Sequence, residues 1–414
     1  MIMNNIYNVC QLKTVQTPYY LYDMFLLKST LESAYNAARA HNFKIHYAVK
    51  ANTESKILQE VNKHRFGVDC VSANEIKKAI NHGFKAKDIV FAGVGKTDSE
   101  IAFALSQQIF CINCESIEEL EVIATIAEKM RLKAPVALRV NPNIDAQTHQ
   151  KISTGLEDNK FGMPLFELQQ ALDICCQNSY LQFKGLHFHI GSQIKSETPF
   201  INLCKKASEI WHKFGIESYG GSVLNLGGGL AVDYSDPFNK PVPEFEHFFG
   251  LISKHLHIPT NVKVFFELGR SLVAQSGTLV TKVLYVKKGL TKNFAIVDAG
   301  MTELLRPALY QAFHKIEKFN NNGGAVKNYD IVGPVCESSD VFAKNVALPE
   351  IRRGDILMVR SCGAYAQSMS LRYNLRSLAP AYYLHNNPVD ALQDHVATSF
   401  NTCPDYTFNF FSLQ

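Results

Sequence analysis

The sequence predicts an α/β fold in which a (β/α)8 barrel of the TIM type precedes a smaller, mainly β domain. Short β-branched or apolar runs recur eight times before about residue 275, and segments with helix signals separate them. Alternation of this length implies parallel strands, and eight units suggest closure into a barrel; an open doubly wound sheet is the alternative. After about residue 275 the rhythm changes to strand-like runs with no regular helices between them.

Taken in order, residues 1–30 precede the barrel, and the stretch from Thr17 to Tyr22 is suited to adding a strand to the β domain. The barrel is expected over 31–275. Its strands are read at Ile45–Val49, Gly67–Val71, Ile89–Ala92, Ile109–Ile112, Val136–Val140, Phe183–Phe188, Val223–Leu226 and Val262–Phe266. Between them, Ser72-Ala73-Asn74-Glu75 and Ser116-Ile117-Glu118-Glu119 match the capping box that opens a helix. Ile117, Leu120, Ile123, Ala124 and Ala127 then share one apolar helical face. The β domain is expected over 276–385, with strands at Leu279–Val286, Phe294–Val297, Tyr329–Val335 and Asp355–Arg360. Residues 386–414, rich in Asn, Asp and Phe, read as an irregular tail.

Composition narrows the function. A net charge of +4 on 414 residues is too mild to argue for nucleic acid or a membrane surface. No apolar run approaches the roughly 18 residues that a spanning helix needs. The first residues lack a basic segment followed by an apolar one, which predicts a cytoplasmic protein. Ten scattered cysteines then read as free thiols. Cys111 and Cys114 form a CxxC, but no second Cys or His pair stands at zinc spacing. Cys175-Cys176 falls in a helical stretch and reads as core filling.

In a barrel of this kind the site lies where strands end. The expected exits are Lys50, Ser72, Gly93, Asn113, Asn141, His189, Gly227 to Gly229, and Glu267, so an amine, an imidazole, a glycine-rich turn and a carboxylate converge. Gly93-Val94-Gly95-Lys96-Thr97 fails the P-loop pattern because position 90 is Val. Gly227-Gly228-Gly229 fails the dinucleotide fingerprint because position 232 is Val, yet its exposed N–H groups suit a phosphate. His187-Phe188-His189 places two imidazoles on one strand face, but later exits supply no further histidine, so no metal site is expected. Glu267 and Arg270, three apart at the last exit, offer a carboxylate for a heteroaromatic nitrogen and a guanidinium for an anion.

These segments resemble the pyridoxal-phosphate decarboxylases with an alanine-racemase-like barrel. The motifs are His46 to Asn52, His187 to Gln193, Gly227 to Leu230, Glu267 to Arg270, Met301 with Arg306 to Tyr310, Cys336 to Asp340, and Gly363-Ala364-Tyr365. They run in family order from about residue 17 to about 380. The resemblance implies pyridoxal 5'-phosphate as cofactor, held by Lys50 as a Schiff base, with His189 against the ring and Glu267 on its nitrogen. It assigns Ser192, Gly228, Gly229, Gly269 and Arg270 to the phosphate region, and Tyr365 to cofactor and substrate. Cys336 is the implied general acid, which completes a catalytic set of Lys50, Cys336 and His189.

Arg270, Arg306 and Tyr310 suit a distal carboxylate, and Glu337 a distal ammonium. Members acting on ornithine-like diamines commonly carry Asp after the Cys; here Glu337 follows Cys336, which favours diaminopimelate as substrate and the last step of lysine biosynthesis. The alternatives are another diamino acid or a carboxylated polyamine, or a homologue that only binds partners. The family also implies a homodimer in which the Cys336 segment completes the site of the other subunit. One departure is Leu268, where the family more often has Pro.

Overall fold

The structure is a computed structural model that describes residues 15–145, 159–319 and 324–385; the expected irregular tail lies outside the described residues. The first strand, β1 (Tyr19–Asp23), ends on a residue that starts a helix: the Asp23 carboxylate accepts the Leu26 N–H and caps Met24–Ala40. This helix runs unbroken through residue 30, so the expected division between N-terminal segment and barrel falls inside it.

Eight parallel strands then close into a barrel. They are β2 (Phe43–Ala48), β3 (Gly67–Cys70), β4 (Ile89–Phe91), β5 (Cys111–Cys114), β6 (Ala134–Arg139), β7 (Leu181–His187), β8 (Val223–Asn225) and β9 (Lys263–Leu268). Pairing of β9 with β2, from Phe43 opposite Val264 to Tyr47 opposite Leu268, makes the closure. An open doubly wound sheet is thereby ruled out. The helices between strands bury their apolar faces against the barrel, and Phe43, Phe248, Phe249 and Phe266 form one aromatic cluster with ring centroids 5.0–6.0 Å apart.

Strand β5 lies two residues later than the expected Ile109–Ile112. Ile109 is apolar because it is buried at the strand's entry, where the Phe110 N–H bonds back to Ala86 and Ile89. Asn113 is therefore inside the strand. Glu267, too, precedes the end of β9 by one residue. The helix caps also differ in detail. Ser72 and Ser116 accept the N–H groups of Glu75 and Glu119, but those glutamates reach one residue further back, to the N–H groups of Val71 and Glu115. The reciprocal box is formed at Thr97 and Glu100, a pair the sequence reading passed over.

The second unit is an eight-stranded sheet. Its members are β1 with β10 (Gly277–Lys288), β11 (Asn293–Val297), β12 (Ile316–Lys318), β13 (Val326–Val332), β14 (Val341–Pro349), β15 (Ile356–Val359) and β16 (Ala381–Leu384). The long β10 joins its parts, pairing with β1 and β15 along its first half and with β11 along its second. Strand β1 runs antiparallel to β10 and parallel to β16, so the N-terminal segment does join this sheet.

The sheet supports the barrel mouth directly. The Tyr365 N–H donates to the Ala51 carbonyl at 2.8 Å, and the Asn52 amide donates to the Gly363 carbonyl at 2.9 Å. Such close approach needs glycine, since a Cβ on Gly363 would lie 1.8 Å from the Val273 carbonyl oxygen. The turn that carries Lys50 is thus held from both sides.

Candidate active site

Strand β2 ends at Ala48, and the short turn Val49–Ala51 lifts Lys50 over the carboxyl ends of the strands. There it lines a cavity of about 350 Å³ together with Arg139, His189, Glu267, Arg270 and Tyr365, among others. The barrel and one loop of the β sheet therefore bring eight of the sequence-predicted residues to one space: Lys50, His189, Ser192, Gly229, Glu267, Gly269, Arg270 and Tyr365.

Lys50 Nζ donates to Asp69 Oδ2 at 3.2 Å. Burial disfavours the ammonium, but Asp69, Tyr365 and Glu267 outweigh it and hold the lysine above its ordinary pKa. Asp69 is fully buried on β3, and burial together with Glu267 pushes its carboxyl up despite Lys50. The sequence reading passed over Asp69. Its only signal is a carboxylate inside an otherwise apolar strand.

Glu267 is held on three sides. Its Oε1 accepts from the amides of Asn113 at 3.0 Å and Asn225 at 2.7 Å, while Oε2 accepts from His187 Nε2 at 3.0 Å. Burial would raise the Glu267 pKa, but His187 and Lys50 keep it well below the usual carboxylate range. His187 and His189 consequently have separate tasks, as their distinct partners show. His189 Nδ1 accepts the Gly228 N–H at 3.2 Å, and burial with Arg139 and Lys50 nearby lowers its pKa to about 3. It presents a neutral ring at the cavity wall.

An anion cradle lies beside this ring. Ser192 Oγ accepts from Arg270 Nε at 3.2 Å and from Nη2 at 3.1 Å, which leaves its own hydroxyl proton to donate. Gly229 lines the wall at φ +118°, and a Cβ there would meet the Gly191 carbonyl oxygen at 2.9 Å. Gly269 lines it as well. Gly228 does not; its N–H donates to His189 Nδ1. Arg139 enters the cavity from β6, anchored to Glu115 at 2.6 Å.

Arg270 also borders a second cavity of about 390 Å³, lined by Tyr234, Arg306 and Tyr310. Here two guanidiniums are held by neutral groups. Arg270 Nη1 donates to the Tyr234 hydroxyl at 2.7 Å, and the Arg306 guanidinium sits 4.6 Å from the centre of the same ring. Arg306 Nη1 donates to His314 Nε2 at 2.7 Å, and His314 Nδ1 in turn donates to the Arg360 carbonyl at 2.8 Å. Burial and Arg306 lower the His314 pKa to about 3, which keeps it a neutral acceptor. Among the described residues, neither Arg270 nor Arg306 has a carboxylate within salt-bridge distance. Sequence reasoning found both arginines and Tyr310 but missed Tyr234 and His314, which lie in irregular loops without a motif.

Cys336 and Glu337 are not brought to either cavity. Both are exposed on the turn after β13, where Glu337 accepts from the Tyr373 hydroxyl at 2.8 Å. Among the described residues no cluster of three His, Cys, Asp or Glu could hold a metal ion, and no helix is long and apolar enough to cross a membrane.

Comparison with known proteins agrees with this geometry. Residues 27–274 match the family described as pyridoxal-dependent decarboxylase, pyridoxal binding domain. The chain is 46% identical to a diaminopimelate decarboxylase of Bacteroides thetaiotaomicron, over 92% of this chain and 98% of that one. Among solved structures, it superposes on the Helicobacter pylori diaminopimelate decarboxylase complexed with L-lysine with a TM-score of 0.86, at 39% identity, covering 91% of this chain and 94% of that one. The corresponding M. jannaschii enzyme in complex with L-lysine gives 0.84 at 32% identity, covering 91% and 89%. Likeness of this extent takes in the β sheet as well as the barrel, and the chain belongs to the diaminopimelate decarboxylase family of pyridoxal-dependent decarboxylases.

Proposed function

We propose that this protein decarboxylates meso-2,6-diaminopimelate to L-lysine and CO2, using pyridoxal phosphate bound at the Lys50 cavity. The observation that carries this reading is the pair of guanidiniums, Arg270 and Arg306, left without carboxylates among the described residues in a cavity that adjoins the Lys50 site. Buried cations are costly unless an anion completes them. A substrate whose second carboxylate reaches them while its reacting end lies at Lys50 satisfies that demand.

The residues suit the cofactor. Lys50 offers the amine that would hold it covalently, and Ser192, Gly229 and Arg270 form a donor set of phosphate type. When bound, pyridoxal phosphate supplies an electron sink for the pair left by departing CO2. Glu267, pinned by Asn113, Asn225 and His187, keeps a carboxylate in place to hold a proton on the ring nitrogen. The neutral imidazole of His189 packs against a planar ring without adding a competing charge. Arg306 and Tyr310 orient the distal carboxylate, and His314 keeps Arg306 aimed. Asp69 draws the Lys50 ammonium aside once that amine is released.

Cys336 and Glu337 act in the site of a second copy of this chain. Their exposure, and their absence from the lining of the two cavities of their own chain, support that arrangement. Cys336 Sγ then returns a proton to the carbon that has lost CO2, and Glu337 accepts the distal ammonium.

CO2 release from meso-diaminopimelate, ornithine, arginine and lysine by cofactor-loaded protein tests the reading. Turnover of diaminopimelate above the others is expected. In the same assay, Lys50→Ala and Cys336→Ala proteins, each inactive alone, regain activity when mixed under subunit exchange. Absence of diaminopimelate turnover overturns the substrate, and absence of recovery overturns the shared site.

A further inference from the structure

Tyr234 stands in the loop after β8, and that loop is clamped from outside. The Gln193 side chain grips it at Val232, donating to the carbonyl at 2.6 Å and accepting the N–H at 3.2 Å. Gln275 donates to the Asp233 carbonyl at 2.8 Å, and the Asp233 carboxylate accepts the N–H groups of Ser235 and Asp236. A side chain on a loop pinned at this many points is held ready rather than ordered by its ligand.

Most buried tyrosines in loops only fill space, but the neighbours of this one are two cations. Its hydroxyl accepts from Arg270 Nη1 at 2.7 Å, and the Arg306 guanidinium sits 4.6 Å from its ring centre. His314 meets the same ring edge-on, with centroids 4.9 Å apart. Two buried guanidiniums that border one cavity repel each other. Burial lowers the Arg306 pKa, Tyr234 opposes that, and Arg270 lowers it again. Such a pair, left to itself, would splay, and one carboxylate could then meet only one of them. Arg270 has a hold of its own on Ser192, and Arg306 on His314. Tyr234 touches both, with a hydroxyl oxygen toward one and an electron-rich ring face toward the other.

We infer that Tyr234 is a positioning residue for substrate selection, which keeps Arg270 and Arg306 converged so that a single carboxylate is taken by both. The inference rests on the reading of this cavity as the distal-carboxylate site. Its two parts separate by atom: the hydroxyl fixes Arg270 and the ring fixes Arg306. Tyr234→Phe therefore loosens one guanidinium, and Tyr234→Leu loosens both. Tyr234 does not line the Lys50 cavity, so the reacting end of the substrate is left alone.

The test titrates full-length protein loaded with pyridoxal phosphate in a calorimeter, against L-lysine, which keeps one carboxylate, and cadaverine, the same diamine without it. The unaltered protein is expected to bind L-lysine at least about tenfold more tightly. Tyr234→Phe is expected to weaken L-lysine by about fivefold while cadaverine stays within about twofold, and Tyr234→Leu to erase the preference. Cofactor absorbance and the thermal unfolding midpoint verify that each variant is loaded and folded. A tyrosine that only packed the fold would weaken both ligands alike. That result, or an L-lysine preference unchanged in Tyr234→Phe, overturns the inference. Equal binding of the two ligands by the unaltered protein overturns the distal-carboxylate reading beneath it.

Discussion

The two cavities that meet at Arg270 balance charge in opposite ways. Around Lys50 the ionic groups other than the shared Arg270 face partners of complementary character: Lys50 has Asp69, Arg139 has Glu115, and Glu267 has His187. Around Arg306 the guanidiniums rest on a phenol, a hydroxyl and a neutral imidazole. The first environment can hold its charges in place through a reaction. The second is incomplete until an anion arrives. On the function proposed above, chemistry and selection of substrate would thus be separated by electrostatics as well as by position.

The contrast breaks most sharply at Arg306. Arg306→Met is expected to lower kcat/KM for diaminopimelate by about 2–4 kcal/mol, on the order of 30- to 1000-fold, with the cofactor still bound. Steady-state kinetics alongside cofactor absorbance checks this, and an unchanged kcat/KM would remove Arg306 from substrate selection.

Acid should reach the neutral side of the same contrast. His314 is held near pKa 3 in the folded chain, against 6.5 for an ordinary histidine. The unfolded chain therefore binds the additional proton below about pH 6.5, and the stabilisation present above that value is lost as pH falls. The loss is about 1.4 kcal/mol per pH unit down to about pH 3. His46, lowered to about 4 by burial, adds a similar slope. Denaturant unfolding at pH 7 and pH 4.5 should show a smaller drop for His314→Gln than for the unaltered chain. Equal drops would mean that His314 is not held neutral.

The smallest effect is expected on the paired side. Asn225→Ala removes one of the two amides on Glu267 Oε1 and leaves Asn113 and His187 in place. About 1 kcal/mol of weaker pyridoxal phosphate binding, roughly fivefold, is expected from equilibrium titration. A change far larger than this would mean that Glu267 depends on one amide alone.

Much of this organisation is legible in the chain before it folds. The eight barrel strands follow apolar runs, because strands buried on both faces need them. Strand β14 escaped notice because Lys344 and Asn345 interrupt its pattern, and Asn345 adopts a left-handed conformation at φ 56°. In the site, Lys50, His189, Glu267 and Arg306 stand in recognisable motifs. Asp69 and Asn225 are lone polar residues on strands, Asn113 reads only as a strand exit and His187 only as half of an HxH pair, and nothing local reveals that Asn113, Asn225 and His187 converge on one carboxylate. Tyr234 and His314 are 80 residues apart and meet only because the loop after β8 and the loop before β12 cover the same cavity.

By itself the sequence determined the barrel, the added β sheet and the family, since hydrophobic period and ordered motifs are local properties of the chain. Only the tertiary structure decided which charges are paired and which are left open. That outcome depends on distances between residues remote in sequence, and the strength of an electrostatic contact depends on how deeply the fold buries it.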